Sequence, residues 1–311
     1  MRIIFFGTPL FAVPSLKALL NSGHEVLAVV TQPDKQSGRG RHMTACPVKQ
    51  EAQKTGLMIL QPQKVKEAAF AEKLKPLNPD CIVVAAYGQI LPPEIIHLPR
   101  YGCINVHASL LPKYRGAAPI SRAIINGDDT TGITTMLMDE GMDTGPTLLQ
   151  TEIEIEEGDT AGSLSDKLSR LGAEILIKTL TGLEQEAIKP VPQSGDASYA
   201  FMLKKTDGLI LWSKPARELC NFIRGMNPWP GAYSFLNGKR VKILKAAALD
   251  GSGASGLVIK AAQNELTVGA GEGLVSILEV QPEGKPAMSI SAFLQGRKIP
   301  EGMRFYEYAV D

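Results

Sequence analysis

Ile3 to Phe6 form an unbroken apolar run closed by Gly7 and Pro9, a pattern that predicts a short strand buried on both faces. Pro14 to Leu20 carries an apolar stripe at helical spacing, and Val26 to Val30 is a second β-rich run, so the chain opens on a βαβ unit. Val48 to Thr55 predicts a helix, Met58 to Leu60 a short strand, Val65 to Leu74 a helix, and Cys81 to Ala86 another fully buried strand. Cys103 to Val106 reads as a short strand and Pro119 to Asn126 as a helix. Thr131 to Met138 and Thr147 to Ile155 read as two strands joined across Asp139 to Pro146, so the sheet is expected to end antiparallel. Gly158 to Thr160 offers a helix start, and Leu164, Leu168, Leu171, Ile175 and Leu180 fall on one face of a long helix ending near Gly182. The alternation predicts an α/β domain over residues 1–186, built on a doubly wound, mostly parallel sheet.

Periodicity fails in two places. Thr31 to Thr44 is polar, rich in glycine and basic residues, and long for a loop inside a compact α/β domain, which marks it as functional or disordered. Residues 187–206 hold Pro190, Pro192, Gly195, Lys204 and Lys205 and read as a linker. A second domain, 207–311, begins with a helix expected to have Ser213 as its N-cap, Pro215 in its first turn and Gly225 just past its end. Short β-like runs follow at Tyr233 to Leu236, Val241 to Ala246, Leu257 to Lys260, Glu265 to Val268 and Leu274 to Val280, which predict a small barrel.

Composition then narrows the classes. The 311 residues are 44% hydrophobic and 21% charged, which excludes a disordered, collagen-like or coiled-coil chain. No signal segment or membrane-length apolar run is present, and Cys46, Cys81, Cys103 and Cys220 lie far apart without a CxxC pair, so a cytoplasmic protein with reduced thiols is expected. The net charge of +1, from 33 basic and 32 acidic residues, argues against a global field for nucleic acid. The sum hides local clusters, however. Lys35, Arg39, Arg41 and His42 gather in the long loop, and Lys239 to Lys245 make part of one strand a basic stripe that includes Arg240 and Lys242.

Gly251, Gly253 and Gly256 satisfy GxGxxG literally, but β-like segments flank them on both sides, where a dinucleotide fingerprint must open a helix, so they read as a flexible turn. The informative stretch is Asn105 to Pro112. Asn105 and His107, two apart at the end of a short strand, share a face at the edge where open α/β sheets bind ligands. An imidazole can relay a proton near neutrality, and an amide can donate to an oxygen gaining negative charge, so the pair suits carbonyl chemistry. The pair by itself is equally compatible with a structural histidine and a turn asparagine. Asp143, between Gly141 and Gly145, can orient an imidazole or handle a proton, although an acidic glycine-rich hairpin is also common surface. Cys103 near His107 lacks any group that would lower its pKa, no GxSxG elbow is present, and no pattern resembles a metal site.

Together, Phe6-Gly7-Thr8-Pro9, Gln32-Pro33-Asp34 through Gly38-Arg39-Gly40, Asn105 to Ile120 (NVHASLLPKYRGAAPI), Met138-Asp139 through Thr144-Gly145, and Asn227-Pro228-Trp229-Pro230-Gly231 resemble the methionyl-tRNA formyltransferase family from end to end. The resemblance implies a Rossmann-like catalytic domain, an OB-like β-barrel and a formyl transfer from 10-formyltetrahydrofolate to the amine of initiator methionyl-tRNA. It implies Asn105, His107 and Asp143 as the catalytic trio, without a covalent acyl-enzyme or a metal. It places folate by Ser109, Leu110, Leu111 and Pro112, by Ile82, Tyr87 and Gly88 at the end of their strand, and by Asp139. tRNA contacts are expected from Lys35, Arg39, Arg41, Lys204, Lys205, Arg240 and Lys242, with Arg39 the best single candidate. A monomer with no membrane partner is expected. The same trio would serve transfer to a glycinamide ribonucleotide or an amino-sugar nucleotide, and the basic loop and second domain speak for tRNA; an intact trio speaks against a non-catalytic folate- or tRNA-binding protein.

Overall fold

The computed structural model describes residues 1–37 and 42–308. The chain divides into two compact units that are discontinuous in sequence: Met1–Pro119, Thr131–Ile153 and Ser165–Ala200 in the first, and Ile120–Thr130, Glu154–Leu164 and the chain from Phe201 onward in the second.

The first unit opens with β1 (Arg2–Gly7), α1 (Val13–Leu20) and β2 (Glu25–Val30). A hairpin of β3 (Lys35–Ser37) and β4 (His42–Thr44) then leads into α2 (Pro47–Lys54), β5 (Ile59–Leu60), α3 (Ala68–Leu74) and β6 (Cys81–Ala85). The short helix α4 (Pro93–Ile96) precedes β7 (Cys103–His107) and β8 (Arg115–Gly116). Helix α5 (Pro119–Asn126), which falls in the second unit from Ile120 on, is followed by β9 (Thr130–Leu137), β10 (Thr147–Glu154), the long helix α6 (Ala161–Glu184) and β11 (Tyr199–Ala200).

The main sheet runs β10-β9-β7-β6-β1-β2-β5. Its pairs β1·β2, β1·β6, β6·β7 and β2·β5 are parallel, and β7·β9 is antiparallel, so the sheet ends as the apolar runs predict. Ile3, Ile4, Phe5 and Phe6 have no exposed surface, nor have Ile82 and Val83, because helices cover both faces of a parallel sheet. Helix α6 buries Leu164, Leu168, Ile175 and Leu180, most of the stripe that its spacing predicts. Two sequence expectations are corrected here. The Thr31 to Thr44 loop contains the β3·β4 hairpin, whose polar strands carry no apolar alternation by which to read them. The helix expected from Val65 starts at Ala68, and Val65 is fully buried ahead of it, with its N–H bonded to Gln89 Oε1.

In the second unit, α7 (Ala216–Met226) precedes β12 (Tyr233–Leu236), β13 (Lys239–Leu249), β14 (Val258–Ala262), β15 (Glu265–Gly269), β16 (Leu274–Pro282), β17 (Met288–Ser289) and α8 (Ile290–Gln295). The strands form an antiparallel half-barrel in the order β12-β13-β16-β15-β14, with β17 added to β16. The GSGASG stretch is a turn between β13 and β14. Helix α7 differs from expectation at both ends. Its N-cap position is Pro215, and the first-turn N–H of Ala216 bonds to the Glu272 carbonyl in place of a serine cap. Gly225 lies inside the helix, and a methyl built there would stand 2.5 Å from Ile125 Cγ1 and 2.9 Å from the Ser121 carbonyl of α5. Gly225→Ala ordinarily adds about 1 kcal/mol to a helix interior. Here overpacking dominates, and the variant is expected to lose about 1–3 kcal/mol in denaturant unfolding. A stabilised variant would show that α5 does not press on this position.

Among the described residues, no helix is long and apolar enough to cross a membrane, and no group of three or more His, Cys, Asp or Glu side chains is placed to hold a metal ion.

Candidate active site

The strand order reverses at β1. The chain winds outward through β2 and β5, then returns to β6 on the other side of β1 and continues to β7. At such a reversal the connections leave in opposite directions and open a crevice beyond the carboxyl ends of the strands. Gly7 and Ala85 are paired at those ends, and Thr8 Oγ1 donates to the Tyr87 carbonyl at 2.9 Å across the gap. Asn105 and His107 stand at the same end of the neighbouring strand β7.

The 139–146 turn brings Asp143 to them. Gly141 N–H and Thr144 Oγ1 bond to the Asp139 carboxylate at 3.0 and 2.7 Å, which folds the turn on itself. Gly145 is required by close approach, since a Cβ there would enter the Leu137 carbonyl. Asp143 has φ 53°, a left-handed conformation uncommon outside glycine, asparagine and aspartate. Its Oδ1 accepts from Asn105 Nδ2 at 3.2 Å and its Oδ2 from the Gly116 N–H at 2.8 Å, while His107 Nδ1 lies 3.6 Å from Oδ2.

On the far side of the ring, His107 Nε2 is 3.0 Å from the Tyr114 carbonyl oxygen. A carbonyl only accepts, so Nε2 carries the hydrogen, and Nδ1 is left as the atom that gains or loses a proton beside the carboxylate. His107 is 5% exposed, whereas Asn105 and Asp143 are half-buried, so the carboxylate and amide form the accessible side of the cluster. An acid–base pair beside a free amide N–H can move a proton and stabilise an oxygen that gains charge.

The other expected site residues are placed unevenly. Gly88, exposed with φ 89°, lies at the crevice, and Asp139 closes the base of the Asp143 turn. The Ile82 and Tyr87 side chains, expected at the folate, belong to the core: Ile82 is 0% and Tyr87 2% exposed, the latter packed edge-on against Phe6 with its hydroxyl buried. The apolar sequence of β6 is buried on both faces, so only its carboxyl-terminal backbone reaches the crevice. Ser109 and Leu111 are buried as well, with Ser109 Oγ donating to the Lys113 carbonyl at 2.6 Å, and Leu110 and Pro112 are half-buried.

Of the basic residues, Lys35, Lys204, Lys205 and Arg240 are exposed, and Arg240 stacks 5.6 Å over the Tyr233 ring. Lys242 is half-buried and donates to the Pro230 carbonyl at 3.0 Å. Arg39 and Arg41 lie outside the described residues. The stem of their loop is anchored at Asp34, whose carboxylate accepts from Gln61 Nε2 at 2.9 Å and from the Lys49 ammonium at 2.6 Å. These partners, Gln61 first, hold its pKa below the ordinary carboxylate range. Burial pushes the Cys103 thiol up to about 12, which removes it as a nucleophile at neutral pH.

Backbone groups of Tyr114 and Gly116 complete the cluster, and no side-chain pattern could have flagged them. Gln193 was also missed. It lies in the aperiodic 187–206 stretch, yet its Nε2 donates to the carbonyls of both Asp143 and Gly145.

Known proteins share this architecture and, in part, this sequence. The family described as formyl transferase matches residues 1–180, and the formyl transferase C-terminal domain matches residues 202–298. A methionyl-tRNA formyltransferase of Thermodesulfovibrio yellowstonii is 56% identical over 301 residues, covering 97% of each chain. Among solved structures, HypX from Aquifex aeolicus in complex with tetrahydrofolic acid is similar with a TM-score of 0.63 at 17% identity. That match covers 95% of this chain and 47% of HypX, so the chain spans about half the length of that protein. WlaRD, a sugar 3N-formyl transferase solved with dTDP and 5-N-formyl-THF, gives a TM-score of 0.68 at 21% identity over 92% of this chain and 99% of its own. These two likenesses establish the fold. Sequence identity above one half along nearly the whole of both chains, with both domains matched in order, places the chain in the methionyl-tRNA formyltransferase family.

Proposed function

We propose that Asn105, His107 and Asp143 carry the transfer of a formyl group from 10-formyltetrahydrofolate to the α-amino group of methionine on initiator methionyl-tRNA, the reaction that supplies N-formylmethionyl-tRNA for translation initiation. The observation that carries this assignment is the Asp143 carboxylate, held between the Asn105 amide, the Gly116 N–H and the His107 ring at the carboxyl end of β7. In this reading residues 1–186 are the catalytic domain, the 187–206 connection serves it through the stretch to Ala200 that folds back on the Asp143 turn, and 207–311 are the domain that holds tRNA. The protein acts as a monomer in the cytoplasm.

The crevice beyond β1 and β6 suits a folate. Leu10 and Ile90, each 63% exposed just past those strands, offer apolar surface to a flat ring, and the open backbone at Gly88 admits close approach. When bound, the folate supplies the electrophilic formyl carbon and a departing nitrogen. The chain's residues do the rest. One Asn105 N–H is held by Asp143, and the second donates to the formyl oxygen as negative charge builds there. The incoming amine passes its proton to the Asp143–His107 pair, with Nδ1 and Oδ2 as the exchanging atoms, and the pair returns a proton to the departing nitrogen as its bond to the formyl carbon breaks. Nε2 stays committed to Tyr114, which fixes the tautomer through the cycle. No step needs an enzyme nucleophile.

On the RNA side, Lys35, Arg39 and Arg41 meet acceptor-stem phosphates, and Lys204, Lys205, Arg240 and Lys242 hold the backbone further along. The test is direct: protein, 10-formyltetrahydrofolate and methionine-charged initiator or elongator tRNA are mixed, and acid-stable formylmethionine is counted. Initiator is expected to be formylated in strong preference, with productive binding falling on a log–log salt plot by about 0.7–0.9 for each phosphate neutralised. Transfer to neither tRNA, with transfer to an amino sugar or other small amine instead, would overturn the reading.

A further inference from the structure

Residues 191–200 bond repeatedly to the polypeptide that frames Asp143 and His107. Val191 and Thr147 exchange both N–H···O bonds at 2.8 Å, β11 pairs with β8, and Ser198 accepts at its carbonyl from the Arg115 N–H at 2.8 Å and at its hydroxyl from the Tyr114 N–H at 2.9 Å. Gln193 sits in the middle of this strap. Its Nε2 donates to the Asp143 carbonyl at 2.7 Å and to the Gly145 carbonyl at 2.8 Å, so one amide clamps two carbonyls of the same turn. Its Oε1 accepts from Arg115 Nε at 3.1 Å and Nη2 at 2.7 Å. A guanidinium only donates and a carbonyl only accepts, so the amide has a single orientation that satisfies all four bonds.

These bonds close a ring. Asp143 is reached through its carboxylate by the Gly116 N–H, and through its carbonyl by Gln193, which is itself held by the side chain of Arg115, the residue next to Gly116. Tyr114, the residue on the other side of Arg115, sets the His107 tautomer. Asp143 has φ 53°, a conformation with little intrinsic preference in its favour, so external bonds must define where its carboxylate points.

We propose that Gln193 is a positioning residue for formyl transfer: through Arg115 and the two carbonyls it holds the Asp143 turn at the distance from Asn105 and His107 that proton transfer requires. This rests on the assignment of Asp143 as part of the catalytic trio. Gln193 touches no reacting atom in this role; its removal lets the turn relax.

Gln193→Glu separates positioning from scaffolding. The glutamate keeps and strengthens the pairing to Arg115, so the strap stays in place, but it turns a carboxylate oxygen toward two carbonyl oxygens in place of a donor. Expected are a kcat lower by about 10- to 100-fold, the loss that follows from ångström-scale misplacement of a catalytic group, with KM for the formyl donor and for tRNA within about twofold of wild type. The acid limb of the kcat–pH profile should move, because the carboxylate that faces His107 is no longer fixed, while circular dichroism stays that of the wild type. Gln193→Ala should show the same kcat loss with a lower melting temperature. Glutamate at wild-type kcat, or a loss confined to KM, would overturn the proposal, provided Asp143→Asn measured alongside is inactive. Asp143→Asn at wild-type kcat would overturn the catalytic assignment beneath it, and the proposal with it.

Discussion

His107→Ala is expected to lower the single-turnover rate of formyl transfer by about 10²- to 10⁴-fold, the range that a positioned proton-transfer group supplies. The ring is 5% exposed, with Nε2 on the Tyr114 carbonyl and Nδ1 facing Asp143 Oδ2, so alanine removes the proton relay and one buried hydrogen bond. Loss of that hydrogen bond costs about 1 kcal/mol, which is a measurable drop in melting temperature and still compatible with a folded enzyme. The chemical step should therefore collapse in protein that is folded and binds the formyl donor. Quench-flow measurement with saturating donor and charged initiator tRNA reads the step directly. A rate within about threefold of wild type would remove His107 from the chemistry, since general acid–base groups contribute far more than that.

Asp143→Asn is expected to match that loss for a different reason. Asparagine is the residue that, after glycine, best tolerates the left-handed backbone at this position, so the turn should survive the exchange. The chemistry should not survive. The carboxylate accepts from Asn105 Nδ2 and from the Gly116 N–H at the same time, whereas an amide offers one acceptor and must turn its NH₂ toward the other donor. It also cannot take up a proton beside His107. A fall of about 10²-fold or more in kcat with unchanged circular dichroism is the expected result. Retention of more than about a tenth of wild-type kcat would show that the carboxylate is not the proton acceptor.

The elements that the sequence makes legible are those whose residues declare their own burial. Ile3 to Phe6 and Cys81 to Ala86 are continuous apolar runs because β1 and β6 are covered on both faces, and the α6 stripe is visible because one side packs. The two-residue spacing of Asn105 and His107 at a strand end was readable for the same reason, since alternation puts both on one face. The resemblance places Ile82 and Tyr87 at the folate, and because both side chains lie in the core, only their backbone is left for that contact. Gly225 has the appearance of a helix stop, because glycine needed for close packing against Ile125 and glycine needed for a left-handed cap are the same letter. The β3·β4 hairpin has polar strands, and the Tyr114 carbonyl and Gly116 N–H belong to the backbone, which every sequence shares.

Strand β11 and the chain leading to it alter how the polypeptide can be divided. Composition invites a cut near residue 187, where periodicity ends and prolines begin. Yet Gln193 and Ser198 bond to Asp143, Gly145, Tyr114 and Arg115, so they belong physically to the first unit, which runs on to Ala200. A graft or fusion that exchanged the barrel at the apparent seam would carry away part of the scaffolding of the Asp143 turn. The scaffolding of the Asp143 turn runs on to Ala200, and any chimera meant to keep the chemistry must inherit the chain to that point.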